Sequence, residues 1–150
     1  MRRDKRTTYN DSNMLQFKEH KIKKINTKSF VMSPVELKDY INFEVKRVYF
    51  ISEIKAATGS HCHLKEEEFF ILAKGSCTAV IDRGDGLEKL SMKAPESAFY
   101  VGNYVWHHFE DFTPDALLIA LSSTNYNPNR SDYIEDYEEY KKVLKEKKLI

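Results

Sequence analysis

The chain is organised around the stretch GSHCHLKEEEFFILAKG, residues 59–75. In an extended strand alternate side chains point to the same face, so His61 and His63 are predicted to project together while Cys62 projects the other way. Imidazole can bind a metal ion, and it can also exchange protons near neutral pH. Two imidazoles on the same face therefore predict a polar site on this strand.

The composition indicates one domain without an overall charge bias. A chain of 150 residues is long enough to bury a core. Its 24 Lys and Arg residues nearly balance 23 Asp and Glu residues, for a net charge of +1, so no overall field favours nucleic acid or a membrane surface. Cys62 and Cys77 are too few for a disulfide framework, and no long apolar run stands near the N-terminus. We therefore expect a cytoplasmic protein.

Short apolar stretches separated by turn residues predict an all-β domain, an antiparallel sandwich or barrel. Within residues 45–54 the alternation places Arg47 and Tyr49 on one face. Lys74 and Gly75 are predicted to form a turn. Pro34 makes the first stretch an edge strand. Before the two histidines, strands are predicted at residues 29–35 and 45–54. After them, strands are predicted at residues 68–73, 77–81, 87–92, 98–101, 105–109 and 116–122.

The two ends of the chain differ from this pattern. Residues 1–28 are polar and mixed in charge, which predicts a loose leader or an accessory strand before a single domain at residues 29–150. Near the C-terminus, apolar residues recur at helical spacing and predict a packed helix at residues 132–148. Asp132 is its expected N-cap, with Glu135 three residues on. The residues of this apolar stripe are Tyr133, Tyr137, Tyr140 and Leu144.

The spacing His61-x-His63, then Glu68, then Gly75 resembles the first cupin motif. This resemblance implies a cupin-type antiparallel jelly roll with a C-terminal α-helix. The metal-binding version of that fold adds a histidine from a later strand, and His107 and His108 are the candidates. The Pro-x-Gly turn of the second motif is absent, so the site is predicted to hold no metal and no cofactor, with a metal-binding cupin kept as an alternative.

A second resemblance covers about the last two-thirds of the chain. Seven short pieces of the sequence, taken in chain order, are similar to the nucleotide-sugar 3,4-ketoisomerases, the small cupins related to the WxcM C-terminal domain. These pieces are Lys46-Arg47-Val48-Tyr49-Phe50, Gly59-x-His61-x-His63, Lys74-Gly75-Ser76-Cys77, Tyr100-Val101-Gly102, Val105-Trp106-His107, Asp111-Phe112 and Asp132-Tyr133-Ile134-x-x-Tyr137. The resemblance implies a homodimer with exchanged N-terminal strands. It also implies a dTDP-sugar substrate and a metal-free isomerisation that supplies dideoxyamino-sugar biosynthesis for surface glycans.

Moving the ketone of a dTDP-4-keto-6-deoxyhexose from C4 to C3 passes through an enediol, which needs a base and an acid near neutrality. By the family pattern, His63 is the predicted base at C3 and His61 the proton shuttle or the donor at C4. Tyr49 is the predicted donor to the developing enediolate. Arg47 is expected to bind the diphosphate and Trp106 the thymine. The other predicted substrate-binding residues are Thr58, Gly59, Glu68 and His107.

Alternatives stay open at this stage. Thr58 stands where the family has an arginine, so a related nucleotide-sugar epimerase or a non-catalytic sugar-binding or metal-binding cupin is also consistent with the sequence. Glu66 and Glu67 read as a solvated turn, and Trp106 suits core packing equally well. The division of roles between His61 and His63, the exact sugar nucleotide and the stereochemistry at C4 are left undetermined by the residues.

Overall fold

The computed structural model describes residues 14–150, and residues 1–13 lie outside the described part. It contains twelve strands, a 3-10 turn at Leu37–Asp39 and one α-helix, α1, at Tyr137–Glu146. The strands are β1 (Phe17–Lys21), β2 (Ile25–Asn26), β3 (Val31–Met32), β4 (Arg47–Ile51), β5 (Cys62–His63), β6 (Glu68–Lys74), β7 (Ser76–Asp82), β8 (Leu87–Lys93), β9 (Ser97–Val101), β10 (Trp106–Glu110), β11 (Leu117–Ser122) and β12 (Tyr133–Ile134).

Two antiparallel sheets face each other and form the cupin-type sandwich that the sequence predicts. One sheet has the strand order β1-β9-β6-β11-β4 and the other has the order β10-β7-β8. Alternate residues of β6, including Phe70 and Leu72, point into the space between the sheets and are almost fully buried. Phe99 and Phe109, from opposite sheets, stack there with ring centroids 5.6 Å apart. These residues belong to the apolar core between the two sheets.

The other face of the five-stranded sheet is covered by the chain before β4. Phe69, Ala98 and Leu121 point to that face and pack against Ile22 and Ile41. The predicted edge strand at residues 29–35 is shorter than expected, since only β3 is extended and it pairs only with β2. The predicted leader is partly ordered, because β1 pairs with β9. For residues 1–13 the leader prediction lies outside the described residues.

The predicted turn at Gly75 joins β6 to β7. Gly75 has φ +78°, in the left-handed region that residues with a Cβ rarely adopt. A Cβ at this position would also lie 2.8 Å from the Cα of Ala116. The turn therefore needs glycine both for its backbone angle and for the close approach of the segment before β11.

The C-terminal helix begins later than the sequence predicted. Asp136, not Asp132, is the N-cap, and its Oδ1 accepts a hydrogen bond of 2.8 Å from the backbone N–H of Glu139. Residues 133–134 instead form β12, which pairs with β5. The predicted helix at 132–148 is thus wrong at its start, because pairing with the histidine strand satisfies the backbone there. Tyr140 and Leu144 bury the helix against β10 and β12. Across residues 14–150, no helix is both long and apolar enough to cross a membrane.

Candidate active site

The histidine strand places His61 and His63 on one face, as the alternation predicts. Their ring centroids are 4.7 Å apart, whereas Cys62 lies on the opposite face among the residues under α1. His61 also pairs through its backbone with His107 of β10, whose ring centroid lies 4.7 Å from that of His61. Three imidazoles therefore meet beside the apolar core, where the ring of His107 lies 5.6 Å from that of Phe70.

Backbone carbonyls fix the orientation of two of these rings. The Nδ1 of His61 lies 3.1 Å from the carbonyl oxygen of Gly59, and the Nδ1 of His107 lies 3.0 Å from that of Val105. A carbonyl only accepts, so each Nδ1 carries the hydrogen and donates it. In the neutral ring the Nε2 then has a lone pair, and in both residues it faces the centre of the cluster. The Nε2 of His63 lies 3.1 Å from the Nε2 of His61 and donates to it.

Glu68 supplies a carboxylate to the same centre. Its Oε1 lies 3.0 Å from the Nε2 of His63 and 3.4 Å from the Nε2 of His107. Its Oε2 accepts a short hydrogen bond from the hydroxyl of Tyr49. The side chain of Glu68 is 1% exposed, so its charge is compensated by these neighbouring groups rather than by solvent. Glu68 and His107 thus lie beside the strand histidines, and the hydroxyl of Tyr49 donates to Glu68. Its predicted donation to an enediolate stays a prediction.

Glu66 is the first functional residue that the sequence interpretation missed. It was expected in a solvated turn, but its side chain is 3% exposed. Its Oε2 lies 2.9 Å from the Nε2 of His63, and its Oε1 accepts a hydrogen bond of 2.6 Å from the Nη2 of Arg47. The hydroxyls of Ser122 and Thr124 donate to the same Oε1. The guanidinium of Arg47 is therefore paired with a buried carboxylate through its Nη2, and its predicted contact with the diphosphate stays a prediction.

Asp132 and Tyr133 were also misplaced by the predicted helix. The carboxylate of Asp132 accepts hydrogen bonds from the backbone N–H groups of Lys65, at 2.6 Å, and Glu66, at 3.1 Å. Its Oδ2 lies 3.4 Å from the Nδ1 of His63. The ring of Tyr133 packs edge-on against His63, with centroids 4.5 Å apart. Both residues belong to the site. The N-cap pattern of Asp136 with Glu139 was the sequence signal that could have placed the start of the helix after them.

The charges around the two strand histidines differ sharply. Burial, followed by the neighbouring rings of His107 and His63, lowers the pKa of His61 to about 3. Burial alone would also lower the pKa of His63, but the carboxylates of Asp132, Glu66 and Glu68 outweigh it and raise that pKa to about 12. Burial opposes the charge of Glu68, yet the two imidazoles hold its pKa well below the usual range. In this arrangement His61 is neutral and His63 is cationic at neutral pH.

The remaining predicted site residues fall in different places. Trp106 points away from His107, is 4% exposed and packs against Tyr140 with ring centroids 5.2 Å apart, so the structure does not bring it to the site as a surface for thymine. Thr58 is tied to β10, because its N–H donates to the carbonyl of Phe109 and its hydroxyl accepts from the N–H of Phe109. Gly59 is exposed and contributes the carbonyl that orients His61.

Two overlapping groups of side chains in the described residues have the spacing of metal ligands. The first is His61, His63, Glu68 and His107, and the second is His63, Glu66 and Asp132; within each group the ligand atoms lie within 4.8 Å of one another. In the second group most carboxylate oxygens already accept hydrogen bonds from neighbouring donors. The first group therefore fits a metal ion better.

The antiparallel sandwich and its cluster of buried histidines are those of a small cupin-type protein. The model of the family described as "FdtA: WxcM-like, C-terminal" matches residues 15–145, and the chain belongs to this family. This finding confirms the resemblance inferred from the sequence.

Several relatives align with most of this chain. A TDP-4-oxo-6-deoxy-alpha-D-glucose-3,4-oxoisomerase of Aneurinibacillus thermoaerophilus is 34% identical over 112 residues, which cover 73% of this chain and 79% of the relative. The sugar 3,4-ketoisomerase QdtA of Thermoanaerobacterium thermosaccharolyticum, solved with TDP, is 30% identical with a TM-score of 0.78, covering 87% of this chain and 96% of that one. A 3,4-ketoisomerase of Helicobacter canadensis is 28% identical with a TM-score of 0.77, covering 86% and 97%.

Proposed function

We propose that this protein is a sugar-nucleotide 3,4-ketoisomerase that moves the ketone of a dTDP-4-keto-6-deoxyhexose from C4 to C3. The observation that carries the proposal is the contact between the Nε2 atoms of His61 and His63 within the sandwich, in a chain of this family. The relatives named above act on TDP-linked 4-keto sugars or bind TDP, which supports a dTDP-sugar substrate.

The reaction removes the hydrogen of C3 as a proton, forms the C3–C4 enediol and returns a proton to C4. The hydroxyl proton at O3 leaves as the new ketone forms, and the oxygen at C4 gains one, so the product is an isomer of the substrate. Groups that accept and donate protons within one enclosed site are sufficient for this chemistry. No redox partner is needed, because the two electrons that C3 loses are gained by C4.

The hydrogen bonds of the two rings favour a division of these roles. The carbonyl of Gly59 holds the hydrogen of His61 on Nδ1, so its Nε2 presents a lone pair and is suited to be the base. His63 lies among the carboxylates of Glu66, Glu68 and Asp132, which stabilise a positive charge, and it is suited to be the acid. This assignment is the reverse of the family-based prediction, which stays a prediction until the two roles are separated by experiment.

The test is an incubation of metal-stripped protein with dTDP-4-keto-6-deoxyglucose in deuterium oxide, followed by NMR. We expect the 3-keto isomer with deuterium at C4, and exchange lost in His61→Asn and His63→Asn. The matched control is His108→Asn, because His108 lies on β10, on the opposite face from His107, and contacts Glu110 instead of the cluster. Protein that binds the nucleotide sugar but produces neither isomer nor exchange would overturn the proposal in favour of a sugar-binding cupin.

We also propose that the working form is a homodimer. Strand β4 is an outer strand of its sheet, and its outward side chains Val48 and Phe50 are 59% and 69% exposed. Phe30, between β2 and β3, is also 59% exposed, and an apolar groove of about 590 Å³ lies beside β3. Such surface is typical of a subunit interface. In the single chain β1 pairs with its own β9, and an exchanged N-terminal strand would take this place in a partner's sheet.

Light scattering on the full chain tests the dimer. We expect twice the mass of the chain, and a monomer for Phe50→Arg, whose charge would be placed in the interface. Lys89→Glu, which reverses a charge on the exposed side of β8, is the control. A monomeric wild-type chain would contradict the dimer.

Both cysteines are free and buried, which supports a reducing compartment such as the cytoplasm.

A further inference from the structure

We propose that Arg130, in the loop between β11 and β12, binds the diphosphate of the sugar nucleotide. The observation that carries this proposal is the position of its guanidinium, whose Cζ lies 4.0 Å from the centre of the Tyr133 ring. That ring packs against both histidines of the strand. The inference rests on the proposed function and names a residue that would bind the substrate without taking part in the proton transfers.

The loop that carries Arg130 begins and ends at the turn after β5. At its start, the N–H of Ser123 donates to the carbonyl of Glu67, at 3.0 Å. At its end, the carboxylate of Asp132 accepts a hydrogen bond of 2.6 Å from the N–H of Lys65. Arg130 is two residues before this anchored end, so it is held close to the site.

The backbone and the neighbouring ring fix the place of the guanidinium. The N–H of Arg130 donates to the carbonyl of Asn127, and the N–H of Tyr133 donates to the carbonyl of Arg130. The cation over the phenol ring is a favourable contact. The same ring has its centroid 5.0 Å from that of His61 and 4.5 Å from that of His63. A single aromatic ring therefore separates the guanidinium from the two imidazoles.

The substrate has a matching separation between its reacting carbons and its charge. Proton transfer requires C3 and C4 of the sugar to lie in contact with His61 and His63. C1, which carries the diphosphate, is across the pyranose ring from C4. The phosphate thus lies one six-membered ring away from the imidazoles, and so does the guanidinium of Arg130. A sugar that lies along Tyr133 would bring the two groups together.

The charges at the site call for a further cation. The carboxylates that surround the acidic end of the histidine pair outnumber the cationic side chains that contact them. The carboxylates are Glu66, Glu68 and Asp132, and the cations are His63 and Arg47. A diphosphate adds more negative charge, which these carboxylates would repel. An arginine supplies positive charge and a fork of donors that matches two phosphate oxygens.

Arg130 can leave its present partner at little cost. Its Nε donates to Oε1 of Glu135 at 2.9 Å, but the two side chains are 47% and 54% exposed. An exposed ion pair contributes little to stability, so a phosphate can take the place of Glu135. Arg47 differs, because its partner Glu66 is 3% exposed and a broken pair would leave a buried charge. Arg130 is therefore better suited to exchange a carboxylate for a phosphate.

The test is a calorimetric titration of TDP into the full-length protein and its variants. We expect Arg130→Gln to weaken binding about tenfold or more. Arg130→Lys should fall between this variant and the wild type, because it keeps the charge and loses the fork. The matched control is Arg83→Gln, which should bind TDP as the wild type does. Arg83 is 41% exposed, pairs with Glu88 at 3.0 Å and lies 5.3 Å from the centre of the Phe17 ring.

Glu135→Gln separates a binding role from a structural one. It breaks the same ion pair as Arg130→Gln but leaves the guanidinium in place and without a competing carboxylate. We expect this variant to bind TDP as tightly as the wild type or more tightly. If the pair only held the loop, both variants would weaken binding alike. Added KCl should also narrow the difference between the wild type and Arg130→Gln, because salt screens the interaction of exposed charges.

Kinetics with the dTDP-sugar complete the test. Arg130→Gln should raise KM about tenfold or more and change kcat by less than about threefold, since the lost contact is made equally before and during the reaction. The inference is overturned if Arg130→Gln binds TDP as the wild type does, or if Glu135→Gln loses as much affinity as Arg130→Gln. With an active wild-type enzyme, either result removes only the role of Arg130. A wild-type chain that binds TDP without isomerising the sugar would remove the proposed function, and the titrations would still decide the role of Arg130. A wild-type chain that does not bind TDP would overturn both.

Discussion

The Oδ2 of Asp132 lies 3.4 Å from the Nδ1 of His63, and this contact joins the segment before the C-terminal helix to the histidine strand. The same carboxylate accepts hydrogen bonds from the backbone N–H groups of Lys65 and Glu66. Asp132 therefore holds both the ring of His63 and the chain that follows it. A residue expected to start a helix instead positions a residue of the site.

Replacing Asp132 with Asn should reduce the turnover number by roughly 10–100-fold with a smaller change in KM. Asn keeps the size of the side chain but removes the charge that stabilises a protonated His63. Steady-state kinetics with the dTDP-sugar would measure the effect. Asp136→Asn is the control, since Asn is as good an N-cap as Asp and Asp136 lies outside the cluster. Equal kinetics for the two variants would contradict a positioning role for Asp132.

The buried pair of Arg47 and Glu66 should show strong coupling in stability. Glu66→Gln leaves the guanidinium of Arg47, whose side chain is 23% exposed, without its charged partner, and we expect a loss of about 3 kcal/mol. Arg47→Met should cost a similar amount because it removes one of the two cationic side chains that face the buried carboxylate of Glu66. Urea unfolding of both single variants and the double variant measures the coupling. We expect the double variant to lose less than the sum, and simple additivity would show that the pair does not stabilise the fold.

Gly75→Ala should destabilise the protein by about 2–4 kcal/mol, from the left-handed backbone and from overlap with the backbone of Ala116. Gly59→Ala provides a matched control, because no heavy atom lies within 4 Å of an added Cβ there. Urea unfolding at constant pH compares the two. If both substitutions had the same small effect, the turn at Gly75 would not be constrained as described.

Both thiols should resist alkylation in the native protein. Burial raises the pKa of Cys77 to about 11 and, with a smaller opposing effect of His63, raises that of Cys62 to about 12. A raised pKa keeps the thiol neutral, so the reactive thiolate forms only as the pH rises towards these values. Mass spectrometry after iodoacetamide treatment at pH 8 should find no modification of folded protein and two modifications in urea. Rapid labelling of the folded chain would contradict the burial of these residues.

Local patterns in the sequence determined the type of fold and the centre of the site. The period of two in a strand placed His61 and His63 together and turned Cys62 away, whatever the strand packs against. The same period placed Arg47 beside Tyr49, and the structure has the guanidinium 5.3 Å from the centre of that ring. Short apolar stretches between turns were sufficient to predict the antiparallel sandwich.

Only the tertiary structure decided which charged groups surround the histidines. Asp132 and Asp136 each precede a glutamate by three residues, so both match a helix cap, and pairing of β12 with β5 selected the second. The sequence around Glu66 predicts a surface residue, but inside the protein Arg47 and Ser122 donate hydrogen bonds to its carboxylate. A strand's period fixes the direction of a side chain, but the partner that compensates a buried charge comes from distant parts of the chain, and sequence spacing carries no record of that contact.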